Sequence, residues 1–187
     1  MMSDEMLDRL RETCLSSHWG FEGRLVRVRV DRVRLPGGRE TVREVVAHPG
    51  AVAIVPLHED GTLTFVRQWR QAAGQLLLEI PAGTLEEGED PADCARRELA
   101  EEVGLEAQEI RRLCGSYLAP GYSSELLHTY LATGLTPVPS QPDWDEALQP
   151  VRLALAEAAG MILSGEIQDA KTICGVLLAE RAWRERG

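Results

Sequence analysis

The side chains best equipped for chemistry stand close together in this chain: Glu89, Arg97, Glu98, Glu101 and Glu102. Residues three and four apart share one face of a helix, so Glu98, Glu101 and Glu102 would project together there. Arg97 would reach Glu101 and the preceding Glu89. Three carboxylates on one side repel one another unless cations neutralise them, and oxygen-only donors suit hard ions such as Mg²⁺ or Mn²⁺. The chemistry implied is that of a bound cluster of such ions.

A helix to present these groups is encoded around them. Asp90 suits an N-cap, Pro91 the first helical position and Gly104 the C′ position, with Asp93 three residues after the cap; about three turns are expected between them. A run such as Arg96 to Glu102, standing alone, marks only a solvated helix face. The surrounding offsets change that reading. Gly83 to Leu105 fits the pattern G-x5-E-x7-R-E-U-x-E-E-x-G-U, with U bulky and apolar. All nine specified positions match: Gly83, Glu89, Arg97, Glu98, Leu99, Glu101, Glu102, Gly104 and Leu105. At ordinary residue frequencies such a match has a chance of about 10⁻⁹ at one start.

The 187 residues suffice for one domain with a substantial core and a small N-terminal extension. Net charge is −10, and Lys171 is the one lysine beside nineteen arginines. That balance argues against a polyanion-binding surface, because nucleic-acid backbones need clustered positive charge. A phosphate-bearing ligand would be met by metal ions and a few placed arginines. Cys14, Cys94, Cys114 and Cys174 are widely spaced, which suggests reduced thiols rather than a disulfide framework or zinc site. No apolar run approaches the roughly 20 residues of a spanning helix, and the N-terminus lacks a signal-peptide layout. A soluble, cytoplasmic protein without membrane or nucleic-acid partners is expected.

Along the chain, residues 3 to 14 read as a short amphipathic helix capped by Ser3. From Gly23 the period becomes two, and Pro36-Gly37-Gly38 turns one strand into Thr41 to Val46. Ala51 to Leu57 reads as a buried strand, Glu59-Asp60-Gly61 as a turn, and Leu63 to Arg70 as a strand. Leu76 to Ile80 then runs into Pro81-Ala82-Gly83. Ile110 to Leu118 and Leu126 to Ala132 are further strands, residues 134 to 150 a surface loop, and Leu153 to Leu163 and Asp169 to Trp183 helices. Strands interrupted by one helix and finished by two predict an α/β (α+β) sandwich.

The Gly83 to Leu105 pattern is the Nudix box, so the chain resembles the Nudix hydrolases, which split nucleoside diphosphates linked to another moiety. The resemblance implies the Nudix fold, a mixed β-sheet sandwich flanked by helices. It also implies a catalytic domain over residues 49–187 and an N-terminal extension over 1–48. Metal would be held by Glu98, Glu101, Glu102 and the carbonyl of Ala82, with Glu101 and Arg97 in the catalytic centre and Mg²⁺, or Mn²⁺ in its place, as cofactor. REVVAHPGAVAIVPL, FVRQWRQAAG, LEIPAGTLEEGEDP and GEIQDAKT look like the ADP-ribose pyrophosphatase branch. So does Pro120, which lies 15 residues beyond the box and opens PGYSSE, Pro120 to Glu125.

This branch implies substrate contacts from Arg70, Glu125, Pro120 and Arg43, the last reaching a partner's site in a homodimer paired through its N-terminal strands. Glu146 in DWDEAL is the first candidate for the base that assists the water, and Asp145 the second. Trp19, Trp69 or Tyr122 could stack on adenine. The expected reaction is metal-dependent hydrolysis of ADP-ribose to AMP and ribose 5-phosphate. Two alternatives stand beside it: a GDP-mannose or broad nucleotide-sugar diphosphatase, and a catalytically silent ADP-ribose-binding regulator.

Overall fold

A computed structural model describes residues 6, 8–142, 144 and 147–185. It divides into two units: Met1–Pro49 with Ala119–Glu125, and Gly50–Leu118 with Leu126–Gly187.

The first unit is a three-stranded antiparallel sheet, β1 (Thr13–Glu22), β2 (Arg27–Arg34) and β3 (Glu40–Ala47), in that order. The expected helix over residues 3 to 14 is corrected here. Met6 and Asp8 are helical, but Thr13 and Cys14 already belong to β1. Ser3 and Leu7 lie outside the described residues. All ten residues of β1 are exposed, so no buried face imposes an apolar alternation, and the strand is held by its backbone ladder to β2. The segment Ala119–Glu125 is tied to the end of β3. Val46 N donates to Tyr122 O at 2.7 Å, Ser124 N to Val46 O at 3.0 Å, and His48 N to the Ser124 hydroxyl at 2.9 Å.

The second unit holds two sheets. One is mixed, in the order β7 (Ala82–Thr84), β4 (Ala51–Pro56), β9 (Leu126–Pro137), β8 (Leu105–Tyr117), with β4 and β9 parallel. The other is antiparallel, β10 (Gln149–Ala154), β5 (Thr62–Arg70), β6 (Gln75–Glu79). Three helices complete it among the described residues: α1 (Pro91–Val103), α2 (Leu155–Ser164) and α3 (Ala170–Arg184). Strand β4 explains the layering. Its six residues are all buried, and the period of two sends Val52 and Ile54 to one side and Ala51, Ala53 and Val55 to the other. The first set packs with Ala95 and Leu99 of α1 and with Tyr130. The second packs with Leu63 and Phe65 of β5, Ala158 of α2, and Val176 and Ala179 of α3. The sandwich expected from the pattern is therefore present, with α1 over one face of the mixed sheet.

Two stretches differ from expectation. β9 extends to Pro137, and Gln149–Ala154 forms an edge strand on β5, where loop and helix were expected. Val151 and Leu153 are half-buried while Pro150 and Arg152 are exposed, the alternation of a strand; an edge tolerates the missing N–H of Pro150. The helix α2 then starts at Leu155.

Candidate active site

Helix α1 is built as its caps dictate. The Asp90 carboxylate accepts from Ala92 N at 2.8 Å, Pro91 opens the first turn, and Gly104 closes the last at φ 62°, ψ 43°. A cap of this kind contributes about 1 kcal/mol. Leu99, Ala95 and Cys94 anchor the buried face, leaving Arg97, Glu98, Glu101 and Glu102 to be set by polar contacts.

Arg97 organises three of the carboxylates. Its Nε and Nη2 donate to the two oxygens of Glu89 at 2.9 and 3.0 Å, and Nη1 donates to Glu98 at 2.7 Å and Glu101 at 3.0 Å. Glu89 closes its own loop by accepting from Glu86 N at 2.9 Å. The guanidinium, with help from Glu86 N–H, holds the Glu89 carboxyl at about 2, and Glu89 in turn raises the Arg97 pKa further. Burial, reinforced by Glu89, pushes the Cys94 thiol up to about 12, so it stays protonated.

Glu102 is buried and accepts from Ala82 N at 3.0 Å, joining the helix to the strand that follows Pro81. Gly83, next in that strand, has a reason to lack a side chain. A Cβ there would fall 1.9 Å from Oε1 of Glu98 and 2.0 Å from its carboxyl carbon. Ala82, Gly83 and the carboxylates of Glu98, Glu101 and Glu102 thus share one side of α1. As they stand, no three of the described acidic, histidine or cysteine side chains are grouped tightly enough to hold an ion. Their carboxylates are turned to Arg97, Gly83 and Ala82 N–H instead. The donor chemistry nevertheless fits a hard divalent cation: the donors are all oxygen, and the single charge of Arg97 is set against those of Glu89, Glu98 and Glu101.

Arg70, at the end of β5, is bound inward. Its Nε and Nη2 donate to the two oxygens of Glu79, each at 2.8 Å, and Glu79 is 1% exposed. Lys171 Nζ also donates to Glu79 and, at 3.0 Å, to Asp169. Asp169 caps α3 through Thr172 N at 3.0 Å, and the Thr172 hydroxyl accepts from Ile80 N at 2.9 Å. Burial opposes ionisation of Glu79, but Arg70 and Lys171 outweigh it and leave its pKa lowered. Glu79, Lys171, Asp169 and Thr172 were not among the expected functional residues. The available signals were a glutamate ending the apolar run Leu76 to Leu78 and the isolated lysine.

The remaining expected residues lie elsewhere. Arg43 is on β3 in the first unit, exposed, with Glu12 as partner at 2.6 and 3.1 Å. Pro120 and Glu125 lie in the segment Ala119–Glu125 held by β3, and Glu125 N donates to the Ser123 hydroxyl at 3.2 Å. Trp19, Trp69 and Tyr122 are all exposed, Trp19 stacking under Arg27 at 4.1 Å. Glu146 and Asp145 lie outside the described residues. An open cleft of about 400 Å³ is lined by His58, Glu59, Asp60, Gln108 and Arg152 among others, with Arg152 paired to Asp60 at 2.9 Å.

A family model for the NUDIX domain matches residues 47–175. The chain belongs to the NUDIX domain family. A second model, the nucleoside diphosphate sugar hydrolase N-terminal domain, matches residues 12–46 of this NUDIX protein. It is 43% identical over 167 residues to an ADP-ribose pyrophosphatase of Mycobacterium tuberculosis, covering 87% of this chain and 80% of the relative. It is 36% identical over 165 residues to an ADP-ribose pyrophosphatase of Bacillus subtilis, covering 87% and 89%. A methanol dehydrogenase activator of Bacillus methanolicus is 40% identical over 158 residues, covering 83% and 85%. Among solved structures, an ADP compounds hydrolase matches with a TM-score of 0.86 at 26% identity, over 95% of this chain and 97% of that one.

Proposed function

We propose that this NUDIX protein hydrolyses the diphosphate of ADP-ribose to AMP and ribose 5-phosphate, with Mg²⁺ as cofactor. The observation that carries the reading is the box helix, whose carboxylates Glu98, Glu101 and Glu102 gather beside Ala82 and Gly83. The relatives named as ADP-ribose pyrophosphatases support the substrate.

Glu98, Glu101, Glu102 and the Ala82 carbonyl would hold the metal. Bound divalent cations neutralise diphosphate oxygens and lower the pKa of a water. The water oxygen forms a bond to one phosphorus as that phosphorus breaks its bond to the bridging oxygen, and the water proton passes to a carboxylate. Glu146 is the side chain proposed for that proton, with Asp145 next. Arg97 fixes Glu89, Glu98 and Glu101 relative to one another before any ion arrives. Arg70 would offer the diphosphate a guanidinium, Pro120 and Glu125 would supply further substrate contacts, and Arg43 would reach the site of the partner in a homodimer.

We also propose a homodimer. β1 exposes Leu15, Trp19 and Phe21, apolar surface on a strand whose ten residues are all exposed in the single chain, and a second copy is the proposed cover. Among the described residues no helix is long and apolar enough to cross a membrane, and the proposed location is the cytoplasm. The reaction is tested by separating the products by chromatography: AMP and ribose 5-phosphate should form with Mg²⁺ and not with EDTA. AMP formation at the same rate in EDTA would overturn the metal role.

A further inference from the structure

The Arg70 side chain has two different edges. One edge, Nε and a single N–H of Nη2, is committed to Glu79. The other edge, Nη1 and the remaining N–H of Nη2, makes no hydrogen bond to the described residues, and the side chain is 43% exposed. A guanidinium gripped from behind in this way presents a planar pair of donors in a fixed direction, the geometry that recognises phosphate oxygens two at a time. Glu102 lies close enough to Arg70 to help stabilise its charge. Glu79 is also three residues upstream of Ala82, on the strand that leads into the box.

The grip depends on charges behind it. Glu79 and Asp169 are two carboxylates, 1% and 18% exposed at their side chains, set against Arg70 and Lys171. The ion-paired groups are two against two. Lys171, 10% exposed and the one lysine of the chain, donates to both carboxylates at once. An ammonium can do this because it is a compact donor on a flexible stem, whereas a planar guanidinium cannot occupy the same position without displacing its neighbours. Without Lys171, Asp169 and Glu79 would compete for the one remaining cation. Asp169 already acts on the charge of Arg70. Arg70 would be drawn inward, away from its open side.

We propose that Lys171 is a positioning residue: it neutralises Asp169 and shares Glu79, so that Arg70 keeps one edge of its guanidinium directed outward for the substrate diphosphate. This inference rests on the reading of Arg70 as a substrate contact. It also explains why a charged pair is retained between β6 and the first turn of α3, where an apolar pair would pack without a desolvation cost.

The test is a steady-state comparison on ADP-ribose of the wild type, Lys171→Met, Arg70→Lys and the double variant, with Asp169→Asn/Lys171→Met as a charge-balanced control. Asn caps a helix as well as Asp, so the control keeps α3 capped and leaves Arg70 paired to Glu79 alone. Lys171→Met should raise KM about tenfold, the size of one charge-assisted hydrogen bond, and change kcat much less. In the Arg70→Lys background the same substitution should add less than about twofold, since its effect passes through Arg70. Adding Asp169→Asn should bring KM back toward wild type. A Lys171→Met effect that multiplies with that of Arg70→Lys, or an Asp169→Asn change that deepens the loss, would overturn the proposal in favour of a purely structural cluster. Should Lys171→Met fail to fold, the charge-balanced variant still decides: near-wild-type KM supports the proposal and a tenfold rise overturns it. An Arg70→Lys variant with wild-type KM would instead refute the substrate reading of Arg70 itself.

Discussion

Replacing Gly83 with alanine separates what the site needs from what the fold needs. The new Cβ would lie 1.9 Å from Oε1, 2.0 Å from the carboxyl carbon and 2.5 Å from Oε2 of Glu98. The carboxylate must retreat by about 1.5 Å before the contact becomes an ordinary one, and it can, because it is the far end of a flexible side chain and Arg97 Nη1, which bonds it, also bonds Glu101. Gly83 is not among the glycines with positive φ, so alanine meets no backbone strain there. The fold should therefore lose about 1 kcal/mol or less, a fall in Tm of roughly 3 °C. The site is less tolerant. Mg²⁺ demands ligand oxygens near 2.0–2.1 Å, and a Cβ at position 83 would narrow the positions from which Glu98 could reach an ion; an error of about 1 Å in such a constellation can cost 10²-fold. Measuring kcat/KM on ADP-ribose across a Mg²⁺ titration, beside Tm without metal, should show a loss of about 10²-fold and weaker metal dependence at nearly unchanged stability. Wild-type kcat/KM would refute Glu98 as a metal ligand. A Tm fall above about 10 °C would refute the claim that this glycine serves the carboxylate rather than the fold.

Other substitutions probe the remaining roles. If Glu102 holds the metal, Glu102→Gln should lower kcat by at least about two orders of magnitude in Mg²⁺ kinetics; retained activity would remove Glu102 from the site. Arg97→Met should let the Glu89 carboxyl rise from about 2 toward its ordinary 4.5, read by carboxyl NMR on metal-free protein. Because the folded-state value is depressed, Glu89 contributes stability that is fully present above about 4.5 and lost as pH falls through about 2. Acid denaturation of the variant should lack that component, and a Glu89 value still near 2 would contradict the pairing. Glu146→Gln should reduce kcat far more than it alters KM if Glu146 takes the water proton; a near-normal kcat would move that role to Asp145.

The box helix was legible because each requirement on it is local. Caps act within a turn, glutamates three and four apart share a face, and Asp90, Pro91 and Gly104 stand where the structure uses them. The need for Gly83 was legible only in part. Its place in the pattern was visible, but the carboxylate against it comes from Glu98, a contact the spacing alone cannot show. β1 escaped because it has no buried face, and Gln149–Ala154 because a proline within a polar stretch looks like a loop until β5 supplies the partner. The cluster behind Arg70 joins residues about ninety or more positions apart, Glu79 or Ile80 with Lys171 or Thr172. Sequence displayed Arg70 as a surface cation with a substrate role; folding puts a buried glutamate behind it. The fold class was set by short-range patterns, whereas the cluster behind Arg70 depends on long-range pairing.

The central claim is tested most directly by initial rates on ADP-ribose, GDP-mannose and UDP-glucose side by side, each with Mg²⁺ and with EDTA. ADP-ribose should lead by tenfold or more in kcat/KM and yield AMP only when metal is present. A lead for GDP-mannose or UDP-glucose would contradict the substrate while leaving the metal helix intact, and tight binding of ADP-ribose without turnover of any of the three would contradict the enzyme itself.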